Sequence, residues 1–256
     1  PAYTDGYLLA AVDAKRQFDG GVAQVSESRR IYLPLFVRTL RLSLIITLLT
    51  LLFGFPVAYL MATLPTKASN VLLIFVLLPF WTSLLVRTTA WIALLQQQGV
   101  INEFLVVVGL VSTENRPQMI HNEFGTIVAM THILLPFMVL PLFSVMKTIP
   151  DSYVRAAVSL GAHPWVAFWK VYFPNTVPGI GAGAILVFIL AIGYYITPEL
   201  VGGTTGTFIS NRIAHHISSS LNWGLAASLG IILLGVVIAL FLIYDKIVGI
   251  DNMKLG

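Results

Sequence analysis

Hydrophobic residues in this chain come in runs too long for strands and too uninterrupted for one face of a soluble helix. Stretches free of Asp, Glu, Lys and Arg cover 42–66, 68–86, 88–102, 124–146, 171–198 and 213–244. About 20 apolar residues in a helix cross the hydrocarbon core of a bilayer. Lipid offers no partner to an unpaired backbone group, so such runs read as helices, and no strand alternation competes with them. Turn residues divide them into spans. The first covers 39–64 and stops at Leu-Pro-Thr-Lys, residues 64–67. The second covers 71–95 and contains Arg87; the rest cover 124–146, 179–197 and 225–248. The pattern predicts an all-α membrane protein with five visible transmembrane helices.

Between the runs the polarity rises. Residues 1–38 mix Asp, Gln, Gly and Ser with short apolar stretches, and read as a segment outside the bilayer with a short amphipathic helix over 7–18. The loop 96–123 is polar enough to include a re-entrant or interfacial piece. The loop 147–178 is more structured than a turn requires. Ile149-Pro150-Asp151-Ser152 is a helix-start signal, in which Asp or Ser caps exposed donors. About two turns then run over 153–160 with Ala156 and Ala157 giving a slim surface. Gly161 ends them, because the residue after a helix often needs a left-handed backbone. His163-Pro164 starts a second short helix over 165–172, and Phe173-Pro174 and Pro178-Gly179 break the chain again before the next span. Two short helices joined at a glycine make a knob suited to a groove on a partner; an interfacial loop with tryptophans at the headgroups is the plainer alternative.

Composition supports lipid as the solvent. Hydrophobic residues make up 57% of the 256 residues and charged ones 10%, against about 25% charged in soluble domains. The net charge of +4 is scattered along the chain, which excludes a nucleic-acid surface. The absence of cysteine excludes disulfides and thiolate chemistry. No His-Glu-x-x-His, Gly-x-Ser-x-Gly or paired intramembrane aspartates support a membrane enzyme, and no Gly-Lys-Ser or Gly-Lys-Thr supports a phosphate loop.

Charge also bears on orientation. With 65–70, 147–178 and the tail in the cytoplasm, that side holds Lys67, Lys147, Arg155, Lys170, Lys246 and Lys254. The other side holds Lys15, Arg16, Arg29, Arg30, Arg38, Arg41, Arg116 and Arg212. The count does not decide, but once the long first segment is discounted the short loops favour 147–178 inside.

Charged groups in spans are costly and face cavities or partners. Arg87 reads as a pathway residue or a cross-subunit ion pair, or as an arginine snorkelling to the interface. Glu199 reads as a contact for an amine-bearing substrate, or as the partner of an arginine such as Arg87. Trp81, Tyr194 and Tyr195 complete the candidate pathway set, with an aromatic belt as the plainer reading of the tyrosines. His132 reads as a hydrogen-bonded packing residue. The adjacent His215 and His216 point about 100° apart on a helix, unsuited to one metal, so the candidate metal set is empty. Gly179, Gly181 and Gly183 permit close helix contact, with packing as the reading and a partner permease as one candidate for the other side.

The series Ala156-Ala157, Gly161, Val171, Phe173-Pro174 resembles the loop motif of ABC importer membrane subunits. The family's acid before the alanines is Arg155 here, and its closing Leu-Pro is Phe-Pro. GFPVAYLMATLP at 54–65, LLPFWTSLLVRTTAW at 77–91, ILLPFMVLPL at 133–142 and TPELVGG at 197–203 resemble the spermidine/putrescine-type permeases in particular. The resemblance covers about residues 35 to 250 and implies the type I importer permease fold. It implies a sixth helix preceding residue 1, a periplasmic 1–38, a transmembrane permease domain over 39–250 and a cytoplasmic coupling loop over 147–178. It further implies a multi-pass protein of the bacterial inner membrane that is not itself an enzyme. Its partners would be an ABC ATPase dimer, a second permease subunit that is homologous but different, a periplasmic substrate-binding protein and the lipid bilayer. The chain would need no cofactor, with ATP and Mg bound by the ATPase. ATPase coupling would fall to Asp151, Arg155, Ala156, Ala157, Leu160, Gly161 and His163. The substrate implied is a polyamine or related small organic amine. Alternatives are an amino-acid-like or opine-like compound, or a scaffold that keeps the knob but moves nothing.

Overall fold

The computed structural model describes residues 5–18 and 20–248. Lys254 and the last two positions of the expected 39–250 domain lie outside them. The chain begins with α1 (Gly6–Ala11), an antiparallel hairpin of β1 (Ala14–Arg16) and β2 (Val22–Gln24), and a 3-10 turn at Glu27–Arg29. The long α2 (Tyr32–Thr63) leads to α3 (Thr66–Leu77), a 3-10 turn at Leu78–Trp81, α4 (Leu84–Leu95) and α5 (Val100–Val107). Then come α6 (Glu123–Thr148), α7 (Asp151–Ser159) and α8 (Pro164–Ala167). A π-helical turn at Phe168–Tyr172 continues into α9 (Phe173–Gly193), followed by α10 (Ile196–Val201), α11 (Ile209–Ser218) and α12 (Trp223–Val248). Four of these stretches are long and apolar enough to cross a membrane: Tyr32–Thr63, Glu123–Thr148, Pro164–Gly193 and Trp223–Lys246; the interrupted run from Thr66 to Val107 supplies a fifth if its halves count as one.

The chain forms two compact units. One comprises the described residues of Pro1–Ile45, Leu84–Met130 and Ala191–Phe241; the other comprises those of Ile46–Ser83, Thr131–Leu190 and Leu242–Gly256.

In the first unit, Ala11, Leu35, Phe36, Ile209, Leu225 and Leu229 form a buried apolar cluster that seats α1 on α2, α11 and α12. The expected amphipathic helix over 7–18 ends at Ala11, and the hairpin replaces its second half. The reversal is made at Asp13, which has φ of 53°. Its carboxylate then accepts from the backbone N–H of Ile31 at 3.1 Å and of Leu33 at 2.8 Å. Those donors open α2, where no intrahelical acceptor exists for them. A cap delivered from so far upstream, with Pro34 in the first turn, lets α2 start at Tyr32, well before residue 39.

In the second unit, Ile133, Leu134, Met138, Val139, Leu142 and Met146 of α6 are fully or almost fully buried, with Ala58 and Met61 of α2. Gly183 shows why α9 approaches α6 so closely. A Cβ built there would lie 2.7 Å from the Met138 sulfur. Gly179 likewise faces Val145 and Leu142, so both glycines serve contact within this chain.

Two sequence expectations fail at prolines, in opposite directions. The span expected over 71–95 is interrupted. Pro79 lies in a 3-10 turn, and Thr82 is extended with ψ of 145°. Conversely, Pro174 and Pro178 were expected to break the chain, yet helix runs on from Pro164 to Gly193. A helix-interior proline lacks a donor and crowds the carbonyl four residues back. The wider π turn immediately before Pro174 gives that room. Side chains serve nearby carbonyls: Asn175 Nδ2 donates to the Val171 carbonyl at 2.6 Å and Thr176 Oγ1 to that of Phe173 at 2.7 Å. The span expected to reach 197 ends at Gly193, with Tyr194 and Tyr195 in the break before α10.

Candidate functional site

The motif-bearing loop folds as a helical knob within the second unit. Its first helix, α7, begins after Pro150, and neither Asp151 nor Ser152 caps it with a side chain, contrary to expectation. Asp151 instead sits in the first turn, where a negative charge favours the helix dipole. Termination follows the sequence reading closely. Gly161 has φ of +89°, its N–H donates to the Val158 carbonyl at 2.9 Å, and the Ala162 N–H donates to that of Ala157 at 3.0 Å. These two bonds are a Schellman cap, which satisfies carbonyls that the helix end leaves open. His163 then caps α8, accepting from the Trp165 N–H through Nδ1 at 3.3 Å, with Pro164 as the first helical residue.

Aromatic rings fasten this knob to α2. Tyr59 meets Phe168 and Tyr172 edge-on, with centroids 5.7 and 5.3 Å apart, and Phe55 packs on Phe168 and Phe173 at 6.4 and 5.8 Å. Each such pair stabilises by about 0.5–1.5 kcal/mol beyond area burial. The fastening reaches the π turn but leaves α7 uncovered, for α7 contains no buried residue. Arg155 and Ala156 are exposed, Ala157 is half-buried, and Leu160 is 89% exposed beside the open surfaces of Tyr153 and Val158. Trp165 and Trp169 are also exposed. The seven residues expected to couple therefore lie on one short stretch, α7 and the turn into α8, and most of their surface is open.

The candidate pathway residues divide. Trp81 belongs to the second unit, on the 3-10 turn after α3, and is 89% exposed. The other four belong to the first unit. Arg87 lies half-buried on α4, its Nε buried without a hydrogen-bond partner among the described residues. The neighbouring Thr88 hydroxyl lies 3.2 Å from that of Thr197, tying α4 to α10. Tyr194 and Tyr195 line a shallow apolar hollow of about 190 Å3 with Leu84, Gly193 and Ile196.

Glu199 is exposed, and the residue that holds it is Asn211, not Arg87. The sequence reading missed Asn211. Its Nδ2 donates to the Glu199 carboxylate at 2.6 Å and to the Tyr195 carbonyl at 2.8 Å, while its Oδ1 accepts from the Phe208 N–H at 2.9 Å. Ser210 donates to the Tyr194 carbonyl at 2.6 Å. One polar face at the start of α11 thus positions both tyrosines and the acid. The available signal was Ser-Asn-Arg opening a short polar helix between two apolar spans.

The same unit holds His215, exposed, and His216, whose Nε2 lies 3.0 Å from the Tyr32 hydroxyl and whose Nδ1 lies 2.8 Å from the Ser220 hydroxyl. His216 is therefore a packing residue more than the surface residue expected. His132, on α6, is half-buried and partnered, as a packing histidine should be.

Residues 54–249 match the family described as binding-protein-dependent transport system inner membrane component. The chain belongs to that family. Among relatives, the spermidine/putrescine transport system permease protein PotB of Haemophilus influenzae is 34% identical over 206 residues, covering 80% of this chain and 71% of that protein. PotB of Escherichia coli K12 is 33% identical over 224 residues, covering 88% and 81%. The inner membrane ABC transporter permease protein YdcU of E. coli is 32% identical over 225 residues, covering 84% and 71%. In fold, the permease resembles a chain of a bacterial alginate ABC transporter complexed with an alginate-bound periplasmic protein. The TM-score is 0.66 at 20% identity, over 87% of this chain and 81% of that one. A second alginate importer structure gives 0.63 at 21% identity, covering 90% and 86%. The chain therefore has the type I importer permease fold and is a multi-pass transport component of ABC systems.

Proposed function

We propose that this permease carries a polyamine, spermidine or putrescine, across the bacterial inner membrane, taking it from a periplasmic binding protein and drawing on a separate ATPase pair. The observation that carries the substrate reading is the identity of about one third with spermidine/putrescine permeases over most of the chain. The geometry suits the coupling role. An exposed helix that ends in a Schellman cap, on a knob whose π turn is anchored to α2 by aromatic rings, transmits a push without absorbing it. In this reading Asp151, Arg155, Ala156, Ala157, Leu160, Gly161 and His163 meet the ATPase, and the ATPase binds ATP and Mg. Closure of the ATPase dimer moves the knob and rocks the spans between inward-open and outward-open states. A second, homologous permease chain completes the pathway. Glu199, held by Asn211 and exposed, offers an acceptor for a passing ammonium group, and Tyr194 and Tyr195 offer aromatic faces for it.

Purification with the proteins encoded beside it tests this. The expected result is co-purification of an ATPase whose activity rises when the cognate binding protein is loaded with spermidine or putrescine. Failure to capture any ATPase would contradict the coupling role. Stimulation by amino-acid-like or opine-like ligands, and not by polyamines, would replace the substrate. ATPase binding with no ligand-driven uptake would favour a scaffold, the reading that Arg155 in place of an acid leaves open.

A further inference from the structure

At the root of α7, within the second unit, a hollow of about 180 Å3 is lined by Thr63, Met146, Lys147, Ile149, Asp151 and Tyr172. It gathers the end of α2, the end of α6 and the start of α7 around one tyrosine. Tyr172 is only 8% exposed, and its hydroxyl is buried with no hydrogen-bond partner among the described residues. Tyr59 and Phe168 clamp its ring at 5.3 and 5.7 Å, which keeps the hydroxyl from swinging to a partner elsewhere. A buried unpaired hydroxyl is costly and is retained where something reaches it. Lys147 and Asp151 supply one cation and one anion to the same hollow, and neither joins an ion pair among the described residues.

We propose that this hollow binds a phosphate-bearing amine, the headgroup of phosphatidylethanolamine. The Lys147 ammonium pairs with the phosphate, the Tyr172 hydroxyl donates to a phosphate oxygen, and the Asp151 carboxylate accepts from the ligand's ammonium. A lone phosphate would leave Asp151 repelling it, and a lone amine would leave Lys147 doing the same; the zwitterion satisfies both. Free phosphoethanolamine has this chemistry too. Position favours the lipid, because Thr63 and Thr148 close two helices long enough to cross a membrane, so the hollow lies at headgroup depth. The consequence is that a lipid headgroup braces the root of α7.

The test uses the transporter complex containing this chain, in nanodiscs of phosphatidylcholine carrying a minor share of phosphatidylethanolamine. Mass spectrometry after stepwise delipidation counts the lipid retained. The wild type is expected to hold one phosphatidylethanolamine preferentially, and Tyr172→Phe and Lys147→Gln are expected each to weaken retention about five- to tenfold. Equal retention by wild type and the double variant would overturn the proposal. Hydrogen exchange on the wild type guards against variants that fail to fold. Residues 146–153 should be slowed by phosphatidylethanolamine and not by phosphatidylcholine, and equal exchange in both lipids would overturn it. Free phosphoethanolamine that gives the same slowing in the absence of phosphatidylethanolamine, with no preferential lipid retention, would assign the hollow to a soluble ligand and overturn the lipid proposal.

Discussion

The start of α11 and the surface of α7 carry polar residues of similar number and are built in opposite ways. At α11, Asn211, Ser210 and the Ile209 N–H are buried, and each bonds to another element: Tyr195 and Glu199, Tyr194, and Thr39. At α7, no residue is buried and the side chains open outward. The first arrangement is complete within the chain; the second ends in a Schellman cap and is unfinished along its face. In a transport subunit that difference separates residues that hold the fold from residues left for a partner. Mutations should therefore read out as stability in one region and as function in the other.

Asn211→Leu should show the largest stability effect. It removes three hydrogen bonds and leaves the buried Phe208 N–H without its acceptor, at a cost of about 1–3 kcal/mol. A thermal midpoint in detergent that stays at the wild-type value would break the comparison at its firm end. Asp13→Ala comes next. Loss of both bonds to the α2 N-terminus should cost about 1–2 kcal/mol, and Asp13→Asn, which keeps one acceptor, should cost less.

A smaller effect is expected from acid. Burial first, and then the charges of His215 and Arg212, hold His216 below the ordinary histidine value of 6.5. The unfolded chain then binds the extra proton at a higher pH than the folded one. The stability linked to His216 is therefore complete above 6.5 and is lost as pH falls through the folded value. His216→Gln should flatten the fall in thermal midpoint between about pH 7.5 and about pH 5.5; an unchanged fall would remove His216 from the account. The smallest effect is a null one. Tyr153→Ala on α7 should change stability by no more than about 0.5 kcal/mol, and a larger loss would mean that α7 is packed as α11 is.

Much of this was legible in the residues because lipid imposes a length rule. The spans at 124–146 and 225–248 correspond to α6 and α12 almost residue for residue. The Gly161 turn was equally legible, since few residues other than glycine adopt φ of +89° without strain. What escaped depended on partners distant in sequence. The early start of α2 rests on Asp13, and strands of three residues, as in the hairpin, carry too few positions to show alternation. The continuous helix through Pro174 and Pro178 needed a π turn and two side-chain donors, which no proline rule anticipates. Asn211 looked like any polar residue in a connecting segment until its three partners were seen to come from 195, 199 and 208.

The central claim, that the knob carrying α7 transmits the force of ATP hydrolysis, is tested most directly at Gly161. A Cβ there would meet no atom within 4 Å, so a substitution acts through the backbone alone. The left-handed conformation costs a side-chain-bearing residue about 1–2 kcal/mol, enough to shift the local geometry about tenfold. The measurement is ATP hydrolysed per substrate imported by the reconstituted complex, with Gly161→Val against wild type. The account predicts normal amounts of chain in the membrane, continued hydrolysis and uptake reduced at least about tenfold. Uptake and hydrolysis in the wild-type ratio would contradict it.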